Sequence, residues 1–235
     1  MNTSYLSLLI QRQAQKYGER VALKYRDYAT STWIPVSWNQ FSEKVSKVSR
    51  ALVALGVQAQ ENIGVFSQNK PECLYTDFGA FGVRAVTVPL YATSSEAQVH
   101  YILQDAAIRF LFVGEQYQYD VASRVQNLCH TLKRIIVFDS SVKLAPGDTN
   151  SLYYEDFLAL GDNMELQQQV DKLTAESSPQ DLANILYTSG TTGESKGVML
   201  HHSCYEAAFK AHHGRLTTLG EQDVVMNFLP FTHIF

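Results

Sequence analysis

Residues 85–113 have the sequence AVTVPLYATSSEAQVHYILQDAAIRFLFV, and this stretch decides the fold. Apolar runs at 85–90 and 109–113 are short and rich in Val and Phe, as expected of strands. Between them, Ser95 and Gln98 form a capping-box pattern that predicts the start of a helix. A strand, a helix and a second strand in this order are typical of a parallel crossover unit.

The same alternation extends in both directions from this stretch. Apolar runs at 62–66 and 134–138 predict two further strands. Ahead of them, apolar residues recur three and four positions apart, as on one face of a helix, at Phe41, Val45, Val48, Leu52 and Leu55. Continuous apolar strands between amphipathic helices indicate parallel strands that are covered on both faces. The predicted fold is therefore α/β, a doubly wound, mainly parallel sheet with flanking helices.

Capping patterns predict where several helices begin and end. A Ser or Asn side chain three residues before Gln or Glu is expected at a helix start. This spacing occurs at Ser37 with Gln40, at Asn69 with Glu72 and at Ser203 with Glu206. Gly56 follows the first of these helices, where a left-handed C-terminal residue is favoured.

The chain also carries signals of subdivision. Residues 139–151 are polar and rich in turn residues, and SSPQ at 177–180 interrupts the pattern before a new apolar strand at 183–188. We expect a first α/β subdomain over residues 1–175 and the start of a second over residues 176–235. The last eight residues, FLPFTHIF, lack a polar tail, so we expect the chain to be a fragment of a longer protein.

Composition argues against several classes of protein. The net charge of −4 and the pI of about 6.0 disfavour electrostatic binding to nucleic acid. Cys73, Cys129 and Cys204 are odd in number and lack CxxC spacing, which indicates free thiols in a reducing compartment. The N-terminal residues lack the basic run expected of a signal peptide, and no run of about 18 apolar residues suits a membrane span. We therefore expect a soluble, cytoplasmic protein.

The residues best suited to chemistry lie at 187–197, YTSGTTGESKG. Gly190 and Gly193 permit close backbone approach, so successive N–H groups can converge on an anion. Further donors are the hydroxyl groups of Thr188, Ser189, Thr191 and Thr192 and the ammonium group of Lys196. Each hydrogen bond to a charged phosphate oxygen contributes about 1.5–3 kcal/mol, so four or five can hold a triphosphate. The alternative is a plain surface turn between strands.

This segment differs from the mononucleotide-binding P-loop, in which G-x-x-x-x-G-K-[ST] opens a helix. Counting from Gly190, the second glycine position falls on Ser195. Gly197 stands after Lys196, where Ser or Thr should contact magnesium. Residues 197–201, GVMLH, alternate like a strand. The sequence therefore predicts a phosphate-binding loop that joins two strands.

Two motifs resemble those of a known superfamily. YTSGTTGESKGVMLHH at 187–202 resembles the signature loop of the adenylate-forming enzymes, which include acyl-CoA synthetases, peptide-synthetase adenylation domains and luciferases. LPFTH at 229–233 resembles their next motif, and residues 89–120 are most similar to the long-chain fatty acyl-CoA synthetase branch. The resemblance covers essentially the whole chain but only the N-terminal part of a family member. It implies an incomplete N-terminal portion of the large adenylate-forming domain.

The resemblance also implies a reaction and its site. A fatty carboxylate attacks the α-phosphate of MgATP to give acyl-adenylate and pyrophosphate, and the CoA thiol then displaces AMP. The implied phosphate-binding residues are Thr188, Ser189, Gly190, Thr191, Thr192, Gly193 and Lys196. The resemblance gives Thr188 a part in holding Mg²⁺, and it places His233, the catalytic candidate, beside the acyl group. Ser195 replaces the usual proline, so we expect a looser loop.

The predicted protein is thus the N-terminal fragment of an ATP-dependent long-chain fatty acid–CoA ligase, an acid–thiol ligase of lipid metabolism. We expect the fragment itself to be inactive. Fatty acid, ATP and CoA are the implied substrates, and nucleic acid is not a partner. Peripheral membrane contact of the parent protein and the oligomeric state stay open. The alternatives are a fatty acyl-AMP ligase, another adenylating enzyme, or a non-catalytic nucleotide-binding module.

Overall fold

A computed structural model describes residues 5–28, 30–188 and 195–232. The helices in these ranges are α1 (Tyr5–Tyr17), α2 (Trp38–Ala54), α3 (Pro71–Gly82), α4 (Glu96–Asp105), α5 (Gln116–Gln126), α6 (Tyr154–Leu160), α7 (Gln167–Ala175) and α8 (His202–Arg215). The strands are β1 (Val21–Asp27), β2 (Thr32–Ser37), β3 (Asn62–Phe66), β4 (Val86–Leu90), β5 (Phe110–Val113), β6 (Arg134–Val137), β7 (Ser151–Tyr153), β8 (Leu182–Thr188) and β9 (Lys196–His201).

The described strands form two sheets. β1 and β2 pair as an antiparallel hairpin, and the other seven strands form one sheet in the order β7-β6-β5-β3-β4-β8-β9. All neighbours in this larger sheet are parallel except β8 and β9, which are antiparallel. The chain passes from β3 to β4 on one side and then returns to β5 on the other side of β3. This reversal is the topological switch of a doubly wound sheet.

Two large apolar clusters form the core, one on each face of the large sheet, and a third, small cluster contains Leu6, Phe81 and Ala183. On β5, Phe110 and Phe112 enter the cluster formed with α2, α3, α6 and α7. Leu111 and Val113 alternate to the opposite face and enter the cluster formed with α4 and α5. Both faces of the strand are therefore covered by helices, which confirms the predicted fold class.

Two of the predicted capping boxes are present. The Ser37 hydroxyl accepts from the Gln40 N–H at 3.2 Å, and Ser95 with Gln98 makes the same pair of contacts at the start of α4. Gly56 has a φ of +75°, in the left-handed region that favours glycine. These helix ends follow from local sequence alone because their partners are only three residues apart.

The other two predicted caps are wrong. α3 begins at Pro71 with Lys70 as the N-cap, and Asn69 does not cap it; proline at the first position is already preorganised for a helix. α8 begins at His202 and not at Ser203. The His202 N–H donates to the Asp181 carbonyl at 3.0 Å, and the Ser203 N–H donates to the Pro179 carbonyl at 2.9 Å. The helix start therefore needs no side-chain cap.

The proposed division of the chain stays a prediction. Residues 139–151 lead from β6 to β7, which are neighbours in the same sheet, and β8 and β9 extend that sheet at its other end. The three cysteines are free, with Cys204 exposed and the other two buried. Within the described ranges, no helix is long and apolar enough to cross a bilayer.

Candidate active site at the carboxyl edge of the sheet

The predicted phosphate-binding segment is bounded by two strands. β8 ends at Thr188 and β9 begins at Lys196, and these two residues are partners in the antiparallel register. Because β8 runs parallel to β4, Thr188 lies at the carboxyl edge of the parallel strands. Ligands of open α/β sheets bind at this edge. Both side chains are exposed. The strand that begins at Lys196 confirms the predicted strand and excludes the helix that a P-loop requires there.

Only two of the predicted site residues fall within the described ranges, namely Thr188 and Lys196. The other six lie outside them: Ser189, Gly190, Thr191, Thr192, Gly193 and His233. The geometry available for the site is therefore that of the two strand ends and of their surroundings.

Helix α4 bonds to the end of β8 and to Ser195, the residue directly before β9. The Tyr101 hydroxyl donates to the carbonyl oxygen of Ser195 at 3.0 Å, next to Lys196. On the other strand, the Tyr187 hydroxyl donates to Asp105 Oδ2 at 2.5 Å. The rings of the two tyrosines meet edge to face, with centroids 6.3 Å apart. Burial, followed by the hydrogen bond to Asp105, raises the pKa of Tyr187, which keeps this hydroxyl a donor.

Sequence reasoning did not identify Tyr101 and Asp105 as part of the loop base. They are four residues apart on α4 and therefore share one face of the helix. The four-residue spacing could have placed Tyr101 and Asp105 on one face of the helix. It does not reveal that they bond to Ser195 and Tyr187. Ser195 stands where the family resemblance leads us to expect a proline, whose backbone is restricted. A hydrogen bond to its carbonyl group restrains the same residue by other means.

The second motif lies at the same edge. Asn69, three residues beyond the end of β3, contacts the backbone on both sides of Pro230. β4 alone separates β3 from β8 in the sheet. Neighbouring strands are about 4.8 Å apart, so the ends of β3 and β8 are separated by about 10 Å. Segments that are distant in the chain therefore meet at one edge of the sheet.

A buried polar network lies beneath this edge. Asn184 on β8 donates to the Thr87 hydroxyl at 2.5 Å and accepts from the Tyr205 hydroxyl at 2.5 Å. Burial raises the pKa of the nearby Asp77 to about 7, an effect that a hydrogen bond from Thr87 partly offsets. The Oδ1 atom of Asp77 is buried without a hydrogen-bond partner. The network joins α3, β4, β8 and α8.

His202 belongs to the packing of α8. Its side chain is fully buried, and its ring meets that of Phe81 edge to face at 5.2 Å. Burial lowers the pKa of His202 to about 4, so the imidazole is neutral near pH 7. His202 is the first residue of α8 and follows β9 directly, so it lies at the junction of the strand and the helix.

The described residues offer few ligands for a metal ion. No group of three or more His, Cys, Asp or Glu side chains in residues 5–28, 30–188 and 195–232 is arranged to hold one. Thr188 offers a single neutral oxygen at the strand end. Mg²⁺ keeps several waters and is commonly bound through substrate phosphates, so one hydroxyl ligand fits a site of that kind but does not define it.

Sequence comparison identifies similar proteins. Long-chain-fatty-acid–CoA ligase ACSBG2 of Xenopus laevis is 29% identical over 229 residues, which are 96% of this chain and 30% of that protein. Fatty acyl-CoA synthetase A of Dictyostelium discoideum is 31% identical over 206 residues, 85% of this chain and 30% of that protein. The chain thus spans under a third of the length of these relatives.

Structural comparison finds the same fold in solved ligases. A crystal structure of the anthranilate–CoA ligase AuaEII with anthranoyl-AMP matches with a TM-score of 0.74 at 21% identity, over 89% of this chain and 37% of that one. A putative long-chain-fatty-acid CoA ligase from Rhodopseudomonas palustris matches with a TM-score of 0.77 at 17% identity, over 97% of this chain and 52% of that one. The sequence model of the AMP-binding enzyme family matches residues 10–235, and the chain belongs to this family.

Proposed function

We propose that this chain supplies the phosphate-binding part of the ATP site in a long-chain fatty acid–CoA ligase. The observation that carries the proposal is the pair of strand ends at Thr188 and Lys196, which open a glycine-containing segment at the ligand-binding edge of the sheet. The long-chain substrate class is supported by the two relatives named above.

In the proposed reaction, a fatty carboxylate oxygen attacks the α-phosphorus of ATP. A carboxylate–phosphorus bond forms while the bond to the bridging oxygen breaks, and pyrophosphate leaves with the electron pair. The sulfur of CoA then attacks the acyl carbon and AMP leaves, which gives the thioester. The carboxylate needs no deprotonation, so the proposed role of His233 is to position the acyl end.

The residues at the loop act by charge stabilisation. The Lys196 ammonium group and the N–H and hydroxyl groups of 188–193 bind the β- and γ-phosphates and stabilise the charge that develops on pyrophosphate. Mg²⁺ would neutralise phosphate charge, with the Thr188 hydroxyl as one oxygen ligand. We also propose a cytoplasmic location, in which the three thiols stay reduced.

The test is thioester formation from palmitate, ATP and CoA by a full-length protein that contains this chain. In that protein Lys196→Ala is expected to raise the KM for ATP about tenfold or more, since it removes a charged contact to phosphate. Lys24→Ala, at an exposed position on β1, serves as the matched control and should leave the KM unchanged.

Several results would revise the proposal. Thioester formation only from aryl or amino acids would change the substrate class. Pyrophosphate release without CoA-dependent release of AMP would favour an acyl-AMP ligase that uses another acceptor. Nucleotide binding without pyrophosphate release would favour the non-catalytic module. The 235-residue chain alone is expected to release no pyrophosphate, and turnover above background would contradict this expectation.

A further inference from the structure

Asn69 makes contacts that a helix cap would not make. It follows β3 and precedes α3, but its amide group bonds to chain about 160 residues further on. Asn69 Nδ2 donates to the carbonyl oxygen of Leu229 at 2.7 Å, and the N–H of Phe231 donates to Asn69 Oδ1 at 3.0 Å. The two contacts lie on either side of Pro230 and use both polar atoms of the side chain.

The chemistry of asparagine suits this position. Pro230 has no N–H group, so the backbone here can donate a hydrogen bond only from a neighbouring residue. An asparagine amide offers a donor and an acceptor on one short side chain, which together match a carbonyl group and an N–H group two residues apart. Aspartate at this position would keep the acceptor and lose the donor.

The surrounding chain has few other attachments. Residues 207–230 are exposed throughout. Lys16 and Glu221 form an ion pair at 2.5 Å, but both side chains are more than half exposed, and such pairs contribute little. Beyond Pro230, Phe231 packs against the core cluster on the α2 and α3 face. Arg20 also donates to Gln222 at 3.4 Å on the exposed surface. Asn69 and Phe231 supply the contacts to the end of β3 and to the core.

A small cavity with polar groups in its lining lies beneath the segment. The cavity has a volume of about 20 Å³ and lies between Asp77, Gln68 and Thr232. One buried oxygen atom of each of these side chains has no hydrogen-bond partner. Phe231 and Thr232 line this cavity together with residues of β3, β4 and α3.

We propose that Asn69 is a positioning residue of the adenylating site, which it serves by fixing Leu229–Phe231 on the carboxyl end of β3. This inference rests on the proposed function. Asn69 does not touch the substrate; it acts through the segment that leads into His233, two residues beyond Phe231. Without the two hydrogen bonds, Leu229–Phe231 would be held to the core chiefly by the apolar contact of Phe231.

The test compares Asn69→Ala, Asn69→Asp and the wild type in a full-length protein containing this chain. Asn163→Ala is the matched control, because Asn163 also bonds to backbone, accepting from the Glu165 N–H at 2.9 Å in a surface turn. Asn69→Ala is expected to lower kcat for acyl-adenylate formation about tenfold, with the KM for ATP nearly unchanged. The control should change neither.

A second measurement does not depend on activity. Hydrogen exchange at the Phe231 amide should accelerate in Asn69→Ala and stay slow in Asn69→Asp, which keeps the acceptor. Unchanged exchange at the Phe231 amide in Asn69→Ala would show that the Asn69 side chain does not hold Leu229–Phe231. Faster exchange with unchanged kcat overturns the positioning role. If exchange accelerates in Asn69→Ala but the wild-type protein adenylates no carboxylate, the proposed function is refuted. The positioning role is then refuted with it.

Discussion

The two motif-bearing regions are held in opposite ways. The base of the loop is part of the sheet: Ala183, Ile185 and Tyr187 on β8 are buried, and α4 bonds to the end of β8 and to the residue directly before β9. Residues 207–230 are exposed, and the chain beyond them is attached through Asn69 and the half-buried Phe231. We therefore expect that the geometry of either region can be changed without a large loss in the stability of the fold. Changes at the loop should affect ATP use, and changes at the Asn69 contact should affect the acyl side, with the fold retained in both cases.

The largest effect is expected from Gly193→Val in a full-length protein. A branched side chain in the predicted phosphate-binding segment should block close approach of phosphate to the backbone. Adenylation, measured as pyrophosphate release, should fall about 100-fold or more, while the melting temperature changes little. Gly214→Val is the control, because a Cβ atom at this exposed position on α8 meets nothing within 4 Å. A large loss of stability with adenylation intact would instead indicate a structural turn.

A smaller effect is expected from Tyr101→Phe. It removes the hydroxyl that bonds to the Ser195 carbonyl and keeps the ring contact with Tyr187. The KM for ATP should rise about fivefold, as expected for one neutral hydrogen bond, with little change in kcat. Tyr117→Phe removes a similar bond, at 3.2 Å to the Ser94 carbonyl, and should have no such effect. Equal effects of both variants would contradict a specific role for α4 at the loop.

The pH dependence of stability tests the buried network between the two regions. The pKa of Asp77 is about 7 in the folded protein and lower in the unfolded chain, so the folded state binds the extra proton between about pH 4 and 7. Stability from this group is therefore present at low pH and is lost as the pH rises to 7. The lowered pKa of His202 acts in the opposite direction between about pH 4 and 6.5.

Asp77→Asn removes the first contribution and leaves the second. Measured by urea unfolding, the stability of the variant relative to the wild type should increase from pH 5 to pH 8. A difference that does not vary with pH would show that the Asp77 carboxyl does not titrate differently in the two states.

The smallest effect is expected from Lys16→Met, which removes the ion pair with Glu221. Neither the unfolding midpoint nor kcat should change measurably, because both side chains are well exposed to solvent. A clear loss of kcat in this variant would mean that α1, and not Asn69 alone, fixes the segment.

The parallel sheet could be predicted because each of its central strands is a continuous apolar run, and the caps at Ser37 and Ser95 because their signal is local. The helix α1 and the β1–β2 hairpin were not predicted. The hairpin is only partly buried, so it lacks the apolar pattern that marked the sheet.

The base of the loop could be predicted, but its support could not. The alternation after Lys196 identified a strand, whereas Tyr101 acquires its role from a residue 94 positions away. Asn69 matched a local helix-cap pattern, and a distant pair of backbone groups took its side chain instead. Contacts of this kind depend on the folded topology and leave no periodic signal.

The most direct test of the central claim is hydrogen exchange in a full-length protein with and without ATP and Mg²⁺. If the ends of β8 and β9 bind the phosphates, amides in the peptide spanning 188–196 should become protected when nucleotide is added, and those in 139–151 should not. Nucleotide-dependent protection elsewhere, with 188–196 unchanged, would contradict the assignment of this edge of the sheet as the phosphate site.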